Sequence, residues 1–108
     1  MTVQEITQAL GLEVLSAGNP DASVEGCYIC DLLSLAMSKV SEHDAWITVQ
    51  TNINIVAIAV LTELSCVIIA EKMQVDESVL EKAREENVAV LRSDKSAFEI
   101  AMEIGNRL

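Results

Sequence analysis

The sequence predicts an α/β fold in which a mainly parallel sheet is flanked by helices. The first observation is the stretch Asp44–Ala70, which reads as a strand, a short polar segment, a helix that is apolar nearly all round, and a second strand. Such a unit is the crossover that joins parallel strands, and strands buried on both faces are continuously apolar. The second observation is that short β-rich apolar runs alternate with capped helical segments along the chain.

Five short apolar runs are predicted as strands, because they are rich in residues that favour β structure. In chain order they are Leu12–Leu15, Cys27–Cys30, Trp46–Gln50, Cys66–Ala70 and Val88–Leu91. The first two are separated by Ala17–Asp21, whose Gly, Asn and Pro residues predict a turn.

Helix starts are predicted from residues that cap free backbone N–H groups. Thr2 and Glu5 have the spacing of a capping box, and Gly11 suits the position just past the end of that first helix. Asp31 is expected to cap a helix that extends to about Lys39, and Thr51 or Asn52 is expected to cap the helix Ile53–Leu64. Further along the chain, Asp76 is the expected cap of the helix Glu77–Glu86, and Ser93 or Asp94 is the expected cap of a final helix.

Length and charge limit the classes of function. The 108 residues fit a single domain over residues 1–108, with an aliphatic core because only 3% of the residues are aromatic. The chain carries 17 acidic and 7 basic residues, a formal net charge of −10. This charge argues against nucleic acid, which proteins bind through Lys and Arg, and no basic face is present to dock on a membrane.

The chain is expected to be cytoplasmic. Its N-terminus has no basic region followed by an apolar run, so we expect no signal peptide. The apolar segment Ile53–Leu64 is shorter than the roughly 20 residues that cross a bilayer. Three cysteines in a chain without an export signal are typical of a reducing compartment.

Cys27, Cys30 and His43 are the residues that invite a catalytic or metal-binding interpretation. A redox CxxC pair stands at a helix N-terminus, whereas Cys27 lies in a predicted strand, in which residues three apart point to opposite faces. A zinc site needs further ligands, and only Cys66 and His43 remain. We therefore expect buried structural thiols, no metal, no cofactor and no catalytic residue. The alternative for Cys30 is a thiolate stabilised at the helix start beside Asp31.

The polar segment Gln50–Asn54 is the best candidate for a binding site. It joins the end of a strand to the start of a helix, where open α/β sheets bind ligands and free helical N–H groups favour anions. The candidate residues, including two that follow the preceding strand at the same sheet edge, are Asp31, Ser34, Gln50, Thr51, Asn52 and Asn54. The alternative is that Thr51 or Asn52 only caps the helix. No P-loop is present, so nucleotide hydrolysis is not expected.

The helix Ile53–Leu64 predicts self-association. Only Asn54, Thr62 and Glu63 are polar in it, and helices of this kind are buried on more than one side. In a chain this small, a second subunit can supply the additional cover. We therefore expect a homodimer that buries part of this unit, with Ile58 among the partly exposed apolar residues.

Four segments resemble the DRTGG domain family, whose fold is related to the N-terminal domain of HPr kinase/phosphorylase. They are Gly26–Ser34, Trp46–Thr51, Asn54–Ala59 and Ser96–Glu99, within a similarity that extends from about Val24 to Ile104. The Asp-Arg-Thr-Gly-Gly string of the family name is absent, and Asn52 stands where the family often has histidine. The resemblance implies an accessory role beside CBS pairs or enzyme modules rather than a kinase activity.

Two functions are therefore expected. The first is a non-catalytic regulatory or protein-interaction domain that acts as a homodimer. The alternative is a domain that senses a small ligand, a nucleotide or another anion, through the polar segment Gln50–Asn54. In both cases the partner is a protein or a small molecule, with no role for nucleic acid or membrane.

Overall fold

A five-stranded sheet forms the centre of the structure, a computed structural model that describes residues 1–108. The strands are β1 Glu13–Ser16, β2 Gly26–Ile29, β3 Asp44–Thr48, β4 Cys66–Ile69 and β5 Val90–Arg92. They lie in the order β1-β5-β4-β3-β2. The pairs β2–β3, β3–β4 and β4–β5 are parallel, and β1 pairs antiparallel with β5. The predicted α/β fold with a mainly parallel sheet is confirmed.

Helices cover both faces of the sheet. They are α1 Val3–Leu10, α2 Leu33–Lys39, α3 Asn54–Thr62, α4 Glu77–Glu85 and α5 Ala97–Gly105. Buried side chains of α2, α3 and α4 form one core cluster with the sheet, and those of α1 and α5 form a second cluster on the opposite face. None of the five helices has the length and apolar character needed to cross a membrane.

The two central strands β3 and β4 explain the apolar runs of the sequence. Trp46 and Val67 enter the core beneath α2–α4, whereas Ile47 and Ile68 enter the core beneath α1 and α5. Because both faces are covered, neighbouring side chains along each strand are buried instead of alternating with exposed ones. Trp46 is fully buried, and its indole Nε1 donates a hydrogen bond to the Cys30 carbonyl at 2.9 Å.

Two of the predicted helix caps are wrong. Asp31 does not cap α2, whose first turn has no side-chain cap, because the Asp31 carboxylate bonds to the end of β3 instead. Neither Ser93 nor Asp94 caps α5; the cap is Ser96, whose hydroxyl accepts from Glu99 N. Asp76 occupies the cap position of α4 with extended backbone, but its side chain makes no capping bond.

The capping box of α1 is present as predicted. The Thr2 hydroxyl accepts a hydrogen bond from Glu5 N at 3.1 Å, and the Glu5 carboxylate accepts one from Thr2 N at 2.9 Å. The helix ends at Gly11, which has the left-handed φ of 63° that glycine adopts without strain.

The CxxC cysteines lie on opposite sides of the sheet, as strand geometry predicts. Cys27 in β2 packs against the core beneath α1 and α5, whereas Cys30, just past β2, packs against the core beneath α2–α4. Burial, followed by the negative charge of Asp44, raises the pKa of Cys27 to about 11. Burial raises the pKa of Cys66 to about 12. No group of three or more His, Cys, Asp or Glu residues is placed to hold a metal ion.

Candidate functional site

The loops that follow β2 and β3 are joined at the carboxyl edge of the sheet. The Asp31 carboxylate oxygen Oδ1 accepts hydrogen bonds from Thr48 Oγ1 at 2.8 Å and from Val49 N at 2.9 Å. In return, Gln50 Nε2 donates to the Asp31 carbonyl at 2.8 Å. We call Asp31, Thr48, Val49 and Gln50 the loop clasp. Two of the predicted site residues, Asp31 and Gln50, are thus brought together, and they hold one loop to the other.

Thr48 is the member of the loop clasp that the sequence reasoning missed. Its hydroxyl donates to Asp31 and accepts from Gln50 N at 3.1 Å, while the residue as a whole is 1% exposed. A buried hydroxyl must find hydrogen-bond partners. The available signal was a single threonine within the predicted strand Trp46–Gln50, which is otherwise apolar up to its last residue.

Asn52 organises the start of α3. Its side-chain Oδ1 accepts from Asn54 N at 2.8 Å, and its carbonyl accepts from Ile55 N at 3.0 Å. Val56 N donates to the Ile53 carbonyl at 3.1 Å. The expectation of free N–H groups that attract an anion is therefore wrong for these three residues at the start of α3, because each N–H already has a partner.

Ser34, Thr51 and Asn54 are the predicted site residues whose side chains remain available. None of the three side chains makes a hydrogen bond within the chain, and Ser34 and Asn54 are exposed. Ser34 and Asn54 lie on opposite walls of a groove between α2 and α3, of about 370 Å³. The other residues that line this α2–α3 groove are Leu33, Met37, Ala57 and Ile58. Two hydroxyl or amide groups therefore border an apolar groove.

The outer side of α3 is apolar and exposed. We call Ile53, Asn54, Ala57, Val60 and Leu61 the α3 ridge; all five residues are exposed. The ridge separates the α2–α3 groove from a second groove of about 340 Å³ toward α4, whose polar rim is formed by Lys82 and Glu86.

Within this chain, α3 packs on the sheet with α2 and α4 beside it, and its outer face is exposed. The sequence predicted burial on more than one side. Ile58, named there as partly exposed, points into the core and is 2% exposed.

Comparison with known proteins identifies the family. The DRTGG domain model matches residues 5–106. The chain belongs to the DRTGG domain family. No curated protein sequence matches it at a significant level.

Among solved structures, the DRTGG chain is similar to the CBS and DRTGG domains of the regulatory region of Clostridium perfringens pyrophosphatase, complexed with its activator, diadenosine tetraphosphate. The TM-score is 0.77 and the sequence identity is 16%. The similarity covers 95% of this chain and 45% of the pyrophosphatase regulatory region, so the chain spans less than half of that structure. At this identity, the likeness shows the shared fold.

Proposed function

We propose that this DRTGG chain is a non-catalytic regulatory domain that acts as a homodimer in the cytoplasm. The observation that carries the proposal is the loop clasp. At the sheet edge where α/β enzymes place reactive groups, the Thr48 hydroxyl donates to the Asp31 carboxylate and the Gln50 side chain donates to the Asp31 main-chain carbonyl, so these polar groups hold the loops together. Membership of the DRTGG family, and the fold shared with a regulatory region, support the same role.

Exposed apolar surface supports the homodimer. Thirteen large hydrophobic side chains are exposed in a chain of 108 residues, and several of them adjoin one another on α2 and α3. Contiguous apolar surface of this kind marks sites of association. Sedimentation velocity at tens of micromolar should give the mass of two chains. A single-chain mass at that concentration contradicts the homodimer.

A second candidate function is sensing of a nucleotide. The observation that favours it is the α2–α3 groove, where Ser34 and Asn54 offer unpaired hydrogen-bonding side chains beside an apolar floor. Such a groove suits a nucleobase, which is flat and carries hydrogen-bond donors and acceptors along its edge. The N–H groups of Asn54, Ile55 and Val56 have partners, so a phosphate at the start of α3 would have to bind the preceding backbone N–H groups, those of residues 51–53.

Thermal-shift measurements separate the two candidates. The probes are diadenosine tetraphosphate, ATP, adenosine and inorganic phosphate. A nucleotide present at 100 times its Kd should stabilise the fold by about 2.7 kcal/mol. Asn54→Ala should abolish that shift, whereas Asn52→Ala, which removes the acceptor for Asn54 N, should lower stability and keep the shift. If none of the four probes raises the melting temperature, sensing of adenine nucleotides is excluded.

A further inference from the structure

We infer that the α3 ridge is the surface through which two copies of this chain pair, with their α3 helices antiparallel across a two-fold axis. The inference rests on the homodimer proposed above and assigns its interface. It commits to a second copy as the occupant of the ridge and of the grooves beside it.

The residue pattern of α3 supplies the contact surface. Leu61 is 68% exposed, Ile53 49% and Val60 45%, and Ala57 is also exposed. Residues spaced by four lie on the same side of a helix, so Ile53, Ala57 and Leu61 form one line along the outer face of α3. The whole helix from Asn54 to Thr62 contains no charged residue. An uncharged, apolar centre is what distinguishes the core of an interface from the rest of a surface.

The charge distribution favours a second copy as the occupant. Of the 17 acidic residues, only Glu42 and Asp44 lie between Leu32 and Thr62, and both belong to the connection from α2 into β3. Elsewhere, acidic side chains crowd the surface, as on α4 with Glu77, Glu81 and Glu85. Two chains that each carry a net charge of −10 repel wherever acidic residues face each other. This repulsion is weakest on the outer face of α2 and α3, where acidic side chains, Glu63 and Glu86, stand only at the border.

The grooves beside the ridge make the surface self-complementary. Helices pack by placing the ridge of one helix into the groove of another, and here each copy has one ridge between two grooves. In an antiparallel pair related by a two-fold axis, the middle of the ridge contacts the same position of the partner subunit. The N-terminal end of each ridge contacts the C-terminal end of the other. Ala57 therefore faces Ala57 of the partner subunit, where its small side chain allows close approach, and Leu61 packs against Ile53 of the partner subunit.

Charge substitutions on the ridge test the surface. Leu61→Glu should raise the dimer dissociation constant by more than about tenfold, because it places a charge in the apolar centre of the contact. The matched control is Phe98→Glu on α5, on the opposite side of the sheet; Phe98 is 70% exposed, against 68% for Leu61. Leu61→Lys is the second variant, because a cation is tolerated in the last turn of a helix and keeps the fold testable.

Cross-linking tests the two-fold geometry. In a Cys30→Ser background, Ala57→Cys should form a disulfide between two chains under mild oxidation, because the inferred axis brings the two positions within disulfide reach. Ser78→Cys, exposed on α4, is the control that should remain reduced.

The experiments distinguish a wrong assignment of the interface from a wrong proposal of the homodimer. A wild-type chain that sediments as a monomer overturns both. A wild-type dimer that persists, folded by circular dichroism, in both Leu61 variants overturns only the α3 ridge. A dimer lost in Phe98→Glu but kept in the Leu61 variants also overturns the ridge and moves the interface to α5.

Discussion

Asp31 shows how a residue can be placed correctly and given the wrong role. Its position after β2 suggested a cap for the following helix, but its carboxylate instead bonds to Thr48 and Val49 at the end of the neighbouring strand. The hydrogen bond to Val49 N joins residues 18 positions apart, so no local pattern in the sequence predicts it. The edge of the sheet could be predicted; the partner within that edge could not.

Removing the Asp31 carboxylate should loosen the loop clasp. We expect Asp31→Ala to lower the free energy of unfolding by about 1–2 kcal/mol, because Thr48 Oγ1 and Val49 N lose a charged acceptor. Asp31→Asn keeps a neutral side-chain oxygen as the acceptor and should fall between Asp31→Ala and the wild type. Urea unfolding measures all three proteins. Glu25→Ala, an exposed acidic residue whose side chain makes no hydrogen bond, is the control. Equal stability of Asp31→Ala and Glu25→Ala would show that the clasp contributes nothing.

The buried thiols predict a fall in stability at alkaline pH. Burial raises the pKa of Cys66 to about 12, above the value of about 8.5 for an unfolded thiol. Below about pH 8.5 the thiol is neutral in both states. As the pH rises further, only the unfolded chain ionises, so the folded state loses stability up to about pH 12. Urea unfolding between about pH 8 and pH 10 should show this loss, and Cys66→Ala should reduce its slope. A slope unchanged by Cys66→Ala would assign the loss to other groups.

Helices and strands that local sequence patterns determine were predicted, whereas features that depend on contacts between distant residues were not. The β3–α3–β4 unit was predicted because continuous apolar runs report burial on both faces, which is an average over many residues. The ends of elements were predicted less accurately. The strand predicted as Trp46–Gln50 is Asp44–Thr48, because Val49 and Gln50 leave the strand and form hydrogen bonds with Asp31. The available side chains at the site, Ser34 and Asn54, meet only through the packing of α2 on α3.

The helices α4 and α5 differ in their N-terminal caps, so comparing them shows how much a capping box stabilises this fold. Ser96 and Glu99 have the same spacing as Thr2 and Glu5, so the sequence contained the signal for α5, whereas Asp76 makes no side-chain cap on α4. We expect Ser96→Ala to lower the free energy of unfolding by about 1 kcal/mol. Asp76→Ala should cost clearly less, since only its favourable charge near the helix start is lost. Chemical denaturation compares the pair, and an Asp76→Ala cost equal to that of Ser96→Ala would contradict this ranking.

At the scale of the whole molecule, charge and apolar surface are segregated. The acidic residues lie mainly outside the segment from Leu32 to Thr62, which supplies both the α2–α3 groove and the α3 ridge. The chain thus has a net charge that keeps copies apart and one neutral face that can bring them together. The net charge and the neutral face therefore have opposite effects on the oligomeric state.

Salt should therefore strengthen the proposed homodimer. Two copies of charge −10 repel through solvent at low ionic strength, and α3, the centre of the proposed contact, contributes no charged residue whose ion pair salt could weaken. Raising ionic strength from about 0.01 M to about 0.15 M shortens the Debye length from about 30 Å to about 8 Å, which removes most of the repulsion between distant surface charges. The dissociation constant from sedimentation equilibrium should fall across this range. An ionic interface, such as one built on Lys82 and the acidic residues of α4, would respond in the opposite direction. A dissociation constant that rises with salt would thus exclude the α3 ridge as the main contact.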